Sequence, residues 1–286
     1  MNESEFEFLR GFLKARSGLA LPPEKRYLVE SRLAPVCRNF QIADLAELIR
    51  SIRISRSLAL ESAVVDAMTT NETFFFRDKG PFDLFRDVLL PRYLTARTTT
   101  RQLRIWCAAA STGQEPYSLA MLLEDAVERT AGWKIDIVAT DISTDVLNKA
   151  KAGLYNQFEV QRGLPIQLLL KHFTQVGDQW QISQKIRSRV SFQGLNLIKD
   201  FTALGIFDII YCRNVLIYFD AATKSNVLAR IANSLAADGS LILGAAETVL
   251  GLSDAFTPDP AHRGLYSKVF QAVETRPLSL QRATSR

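Results

Sequence analysis

Four stretches of this 286-residue chain put polar groups where packing alone does not call for them. The first is Ala108-Ala109-Ala110-Ser111-Thr112-Gly113-Gln114-Glu115-Pro116. Small side chains let a backbone approach a ligand closely, Gly113 permits an unusual φ, and Pro116 suits a first helical turn. The GxGxxG spacing is absent, and Glu115 at a helix start would repel a pyrophosphate, so the turn suits a ligand with a cationic end. A plain strand-to-helix turn stays open on these residues alone. The second is Asp141, directly after IVAT. An acid at a strand end can accept both hydroxyls of a ribose. It can also cap a helix, although Ser143 and Thr144 offer the same service. The third is Arg213-Asn214 after FDIIYC, with Tyr218 four residues on. Tyr218 reads equally as a ligand contact or as a buried aromatic with a satisfied hydroxyl. The fourth is TTNETFFFRD, residues 69–78, where Asn71, Thr73 and Arg77 flank three phenylalanines. That pattern describes an apolar wall with polar contacts on one side, as at a domain junction.

The elements that must position these groups fall into two kinds. Residues 1–78 read as helices only. Ser4 with Glu7 forms a capping box ahead of Phe8, Leu9, Phe12 and Leu13, and Gly18 stops that helix. Pro22 and Pro23 open a second helix, which Pro35 kinks or ends, and further helices follow at 43–52 and 58–68. Residues 79–101 form a bridging helix and a polar linker. From 102 to 274 short apolar runs (103–108, 135–140, 207–212, 240–244, 265–270) alternate with helical stretches, which predicts an α/β unit around a parallel sheet. The alternation breaks over 157–193, where 180–182 and 189–192 read as antiparallel strands of an inserted subdomain. The basic tail, 275–286, reads as disordered.

Composition narrows the chemistry. No apolar run is long enough to cross a bilayer, and the acidic start MNESEFEFLR is unlike a secretory signal. Cys37, Cys107 and Cys212 are far apart, which points to reduced thiols in a cytosol. With only His172 and His262 and no CxxC pair, no metal site is expected. The net charge of +5 is mild. Seven basic residues (Arg10, Lys14, Arg16, Lys25, Arg26, Arg32, Arg38) face two acids over 10–38, and charge alone makes this a solvated helix face.

Five segments, TTNETFFFRD, AAASTGQEPYSLAMLL, ATDISTDVLNKAKAGLY, FDIIYCRNVLIYFD and GSLILGAAETV, stand in the order in which the CheR family of chemotaxis receptor methyltransferases carries them. The chain closely resembles that family over about residues 8–270. The resemblance implies a class I, Rossmann-like, mostly parallel sheet behind a small all-helical N-terminal domain, with a small antiparallel β-subdomain inserted. It implies S-adenosyl-L-methionine as donor, S-adenosyl-L-homocysteine as product, and glutamates on the acidic cytoplasmic helices of methyl-accepting receptors as acceptors. A cytoplasmic monomer is expected, with no nucleic acid and no membrane insertion. Carried over motif by motif, the resemblance assigns cofactor contacts to Asn71, Thr73, Arg77, Glu115, Asp141, Asn196, Leu197, Arg213 and Asn214. It sets Arg77 and Tyr218 near the transferred methyl. It also matches Lys25, Arg32 and Arg38 to the basic helix that faces the receptor, which replaces the solvated-face reading.

A glutamate in water is already ionised at neutral pH, so methyl transfer to it needs no general base. Alignment and partial desolvation must then do most of the catalysis. On this expectation Asp141 takes the ribose, Glu115 the cationic methionyl end, Arg77 an electrostatic positioning role, and Tyr218 orients the acceptor. A nucleic-acid or small-molecule methyltransferase on the same fold is the competing enzyme, but an NPPY-type motif and a Pro-Cys nucleophile are both missing. A non-catalytic sensor of the donor is the competing non-enzyme.

Overall fold

The computed structural model describes residues 1–55 and 57–269; the expected basic tail at 275–286 lies outside the described residues. Four helices open the chain: α1 (Glu3–Ser17), α2 (Arg26–Asn39), α3 (Leu45–Ser55) and α4 (Leu58–Met68). Phe6, Leu9 and Leu13 recur at helical spacing on α1 and meet Val29, Leu33, Leu48, Ile52, Val64 and Met68 in a core of their own. The capping box of α1 is Asn2 with Glu5, not Ser4 with Glu7: Asn2 Oδ1 accepts the Glu5 N–H at 2.9 Å and the Asn2 N–H reaches Glu5 Oε2 at 2.7 Å. The same four-residue pattern occurs twice at a two-residue offset, and the earlier copy captures the helix start. Pro35 does not end α2, which runs four residues further. Gly18 does stop α1, in the left-handed region at φ 78°. A Cβ there would stand 2.7 Å from Ile198 and 3.0 Å from Phe219, so this glycine also lets the helical domain sit against the rest of the molecule.

A bridging segment follows: α5 (Gly80–Leu84), a π-helical turn (Phe85–Leu89) and α6 (Leu90–Ala96). The widened turn precedes Pro91, whose ring would crowd the carbonyl four residues back in a regular helix. Beyond it come β1 (Gln102–Ala108), α7 (Gln114–Asp125), β2 (Lys134–Asp141) and α8 (Thr144–Ala152). A small subdomain holds β3 (Leu154–Asn156), α9 (Gln157–Gln161), α10 (Ile166–His172), β4 (Phe173–Val176), β5 (Gln179–Ile182) and α11 (Gln184–Arg187). The chain then returns through β6 (Val190–Gly194), β7 (Phe207–Cys212), α12 (Ala221–Asn233), β8 (Leu235–Leu243), β9 (Phe256–Pro258) and β10 (Leu265–Lys268).

The main sheet has the order β6-β2-β1-β7-β8-β10-β9, parallel from β6 to β8 and antiparallel at β10 and β9. Alternate residues feed two layers. Ile105, Cys107, Ile137, Ile209 and Tyr211 pack with the bridging helices and α7 on one side, while Trp106, Val138, Ile210 and Cys212 pack with α12 on the other. The antiparallel trio β3-β5-β4 is the inserted sheet. The strand expected as antiparallel at 189–192 is instead β6, parallel to β2 at the rim of the main sheet. A rim strand is half-solvated, so V-S-F-Q-G alternates in burial and lacks the continuous apolar character of its buried neighbours. Helix α7 begins two residues before Pro116, at Gln114, and the late strand closes at Lys268. Among the described residues no helix is long and apolar enough to cross a membrane.

In the register of β1, Ala108 lies level with Thr140 on β2 and Cys212 on β7. The chain turns to β2 on one side of β1 and later fills β7 on the other. The three segments leaving these strand ends therefore emerge together at the switch in strand order, where open parallel sheets bind ligands.

Candidate functional site

A cavity opens there, with about 960 Å³ of free space counting its mouth. The turn after β1 forms part of its floor. Ala109 and Ser111 take left-handed φ values of 57° and 50° without being glycine, a strained backbone of the kind that functional sites hold. Ser111 secures the turn twice: its N–H donates to Asp141 Oδ2 at 2.8 Å, and its hydroxyl donates to the Asn71 carbonyl at 2.9 Å. Asp141 is buried and also accepts the Ser143 N–H on Oδ1 at 3.0 Å. Burial pushes its carboxyl up, and the N–H groups of Ser143, Ser111 and Ile142 pull it back. A carboxylate has about four acceptor positions. Ser111 and Ser143 take one position on each oxygen, which leaves acceptor capacity for a hydroxyl. Ser143, not Asp141, caps α8.

Glu115 enters the cavity from the first turn of α7, and Arg213 from the end of β7. Arg213 Nη1 donates to Glu115 Oε2 at 2.8 Å, while Nη2 meets Asp78 Oδ2 at 2.8 Å and the Arg77 carbonyl at 3.0 Å. Its side chain is 1% exposed, and its Nε has no protein partner among the described residues. Burial raises the Glu115 carboxyl, with Arg213 opposing. Burial also lowers the Arg213 guanidinium, but Glu115 and Asp78 more than offset this and hold its proton more tightly than usual.

The segment between the domains makes one wall. Phe75 is core, edge-on to Tyr155 and Phe173 of the inserted subdomain. Phe74 lies between two guanidinium groups, Arg77 at 5.5 Å and Arg162 at 4.3 Å. Arg77 Nη1 also donates to the Glu72 carbonyl at 2.8 Å, and Arg162 pairs with the Glu72 carboxylate at 2.5 Å. The helical domain closes the opposite side with Ser17 and Leu19. The Ala20 N–H donates to the Tyr218 carbonyl at 2.8 Å, and Asn196 Nδ2 donates to the Arg16 carbonyl at 2.6 Å. Tyr218 is half-buried and lines the cavity.

Asn71, Thr73, Arg77, Glu115, Asp141, Asn196, Leu197, Arg213, Asn214 and Tyr218 all line this one cavity. Lys25, Arg32 and Arg38 lie outside it, on the helical domain. Lys25 and Arg38 are exposed. Arg32 is half-buried and donates to the carbonyls of Met68 (2.7 Å) and Thr69 (3.2 Å) and to Thr70 Oγ1 (3.0 Å). It therefore braces the start of the cavity wall. Ser111 and Asp78 were not singled out from the sequence, although both fall inside the quoted motifs; their importance comes from partners far away in the chain.

Residues 4–69 match the CheR methyltransferase all-alpha domain, and residues 71–264 match the CheR methyltransferase SAM binding domain. The chain belongs to the CheR methyltransferase family. A chemotaxis protein methyltransferase of Vibrio parahaemolyticus is 39% identical over 272 residues, covering 94% of this chain and 98% of that protein. Chemotaxis protein methyltransferase 1 of Pseudomonas aeruginosa is 43% identical over 257 residues, 88% of this chain and 93% of the relative. The Escherichia coli chemotaxis protein methyltransferase is 34% identical over 262 residues, 90% and 88%. As in that family, S-adenosylmethionine is the methyl donor. The cavity fits it: Asp141 keeps acceptor capacity for a ribose, and Glu115 offers an oxygen not taken by Arg213 to a cationic amino group.

Proposed function

We propose that this chain transfers the methyl group of S-adenosylmethionine to glutamate side chains on the cytoplasmic helices of chemoreceptors, forming methyl esters in chemotactic adaptation. The donor supplies an electrophilic methyl on a sulfonium. The observation that supports a carboxylate acceptor is the make-up of the cavity wall: Arg77 and Tyr218 line it, neither His172 nor His262 does, and its carboxylates Glu72, Glu115 and Asp141 are already engaged by Arg162, Arg213 and backbone N–H groups. An amine or hydroxyl acceptor would need a proton removed, whereas an ionised carboxylate needs only orientation and partial desolvation. Asp141 binds the ribose and Glu115 the methionyl ammonium. Asn71, Thr73, Asn196, Leu197 and Asn214 frame the donor, and Arg213 does so by holding Glu115 and the Arg77 carbonyl in place. Arg77 attracts and aligns the acceptor carboxylate, and Tyr218 presents its hydroxyl to it. Lys25, just before α2, and Arg38, on it, face the acidic receptor helices, with Arg32 contributing from α2 as well. The protein works as a monomer in the cytoplasm, with receptors rather than nucleic acid as its partners.

Incubation with methyl-labelled donor and receptor-containing membranes tests this. Label that is released as methanol by mild base is the expected result. Label that resists base, or that follows added nucleic acid, would overturn it.

A further inference from the structure

The loop that carries Arg213, Asn214 and Tyr218 into the cavity is held from behind by one side chain, Glu247. Its Oε2 accepts the N–H groups of Asn214 and Gly244, both at 2.8 Å. Its Oε1 accepts those of Leu216 at 2.7 Å and Val215 at 2.9 Å, with Ile217 at 3.4 Å. Consecutive amides converging on a single anion form a closed nest, here filled by the protein's own carboxylate. Glu247 is 9% exposed and is not among the residues lining the cavity. The loop needs such a clasp. Asn214 is held in the left-handed region at φ 59°, and the amides that follow it lead into and open the 3₁₀ turn Leu216–Tyr218, where the first N–H groups of a helix have no partner within it. Gly244 belongs to the same device. A Cβ at that position would stand 2.7 Å from Glu247 Oε2, 2.9 Å from Asn214 Nδ2 and 3.0 Å from the Asn214 nitrogen.

We propose that Glu247 is a positioning residue for methyl transfer, fixing the backbone of Asn214–Ile217 so that Asn214 meets the donor and Tyr218 meets the acceptor. It rests on reading this cavity as the donor site. The carboxylate matters because it is acceptor-only on both oxygens. Glu247→Gln keeps the size but turns one acceptor into an NH₂ group. Whichever way the amide flips, that group faces either the Asn214 and Gly244 amides or the Val215 and Leu216 amides, donor against donor. The loop must then open on one side. Sub-ångström displacement of aligned groups is enough to cost a large share of the rate.

The test is a titration of the full-length protein with S-adenosylhomocysteine, together with donor KM, kcat on receptor membranes and the unfolding midpoint. In Glu247→Gln the product Kd and donor KM should each rise about tenfold and kcat should fall by about tenfold or more. Glu247→Asp, which keeps the anion but is one methylene shorter, should recover part of both. Kd and KM do not depend on how much of a sample is folded, so a purely structural role would lower the midpoint and leave them unchanged. Values within about twofold of wild type in Glu247→Gln would overturn the proposal. If that variant does not fold, Gly244→Ala carries the same prediction, because it keeps the carboxylate and crowds it against Asn214. Wild-type protein that fails to bind the product would instead sink the donor-site reading itself.

Discussion

Asp141, Glu115 and Arg213 illustrate three degrees to which a residue's work can be read from its position in a chain. Asp141 follows an apolar strand, and its burial with two accepted N–H groups leaves it equipped for a ribose hydroxyl. Asp141→Ala removes charge-assisted bonding of which a single bond is worth about 1.5–3 kcal/mol, so product affinity should fall by at least about one to two orders of magnitude. Calorimetry giving an unchanged affinity would refute the ribose assignment. Glu115 was legible as an acid at a helix start, and its partner was not. Arg213 lies almost a hundred residues away in sequence, and only the parallel pairing of β1 with β7 brings the two together. For the same reason an arginine that touches a donor cannot be told from one that holds the donor's other ligands until Asp78 and the Arg77 carbonyl are seen on its second nitrogen.

Among the elements, long periodic ones were easiest to read. The apolar runs of β1, β2, β7 and β8 and the helical spacing of α1 and α4 come from burial on fixed faces, which composition encodes directly. Rim strand β6 is harder to read because its half-solvated edge breaks the apolar run, and the α1 cap because the same four-residue pattern occurs twice side by side. Contacts between elements are less legible still. Asp66 near the end of α4 lies close to Ser143, the cap of α8, and within electrostatic reach of Asp145 and Asp141. Burial, with those two acids adding to it, pushes its carboxyl up to about 6. The proton is bound more tightly in the folded state than in the unfolded one, whose value is near 3.8. The stability this proton gives is therefore complete below the unfolded value and is lost as pH rises through about 6. Asp66→Asn should remove that loss. Urea unfolding should find the variant more stable than wild type at pH 7 by about 1 kcal/mol, after allowing for solvent screening of a partly exposed group, and the gain should vanish toward pH 4. Equal stability at both pH values would exclude strain at this contact.

At the scale of the molecule, the site exists only because two domains close on it. The helical domain supplies Ser17 and Leu19 and bonds to the backbone of Tyr218, while the segment 69–78 passes from one domain to the other as a wall. The architecture was readable from the change of periodicity near residue 100; the closure was not, since it rests on single contacts such as Gly18 against Phe219. The same domain carries the basic surface. Lys25 and Arg38 are exposed, so reversing both charges should raise the receptor KM by about tenfold at low salt, less at high salt, and leave product affinity within about twofold. Arg32 must be left intact in that experiment, because its bonds to Thr69 and Thr70 would mix a receptor effect with damage to the cavity wall. A double variant that methylates receptors normally at low salt would return these residues to a solvated face. On the proposed function, the cavity brings a sulfonium methyl to an ionised glutamate. The most direct test is residue-level mass spectrometry of a purified receptor cytoplasmic fragment, after one round of transfer with the wild-type enzyme and with Asp141→Ala. One added methyl group on specific glutamate side chains is expected with wild type, and little or none with the variant. Methyl groups on lysine, histidine, arginine or cysteine, or modified glutamates at equal yield with both proteins, would contradict it.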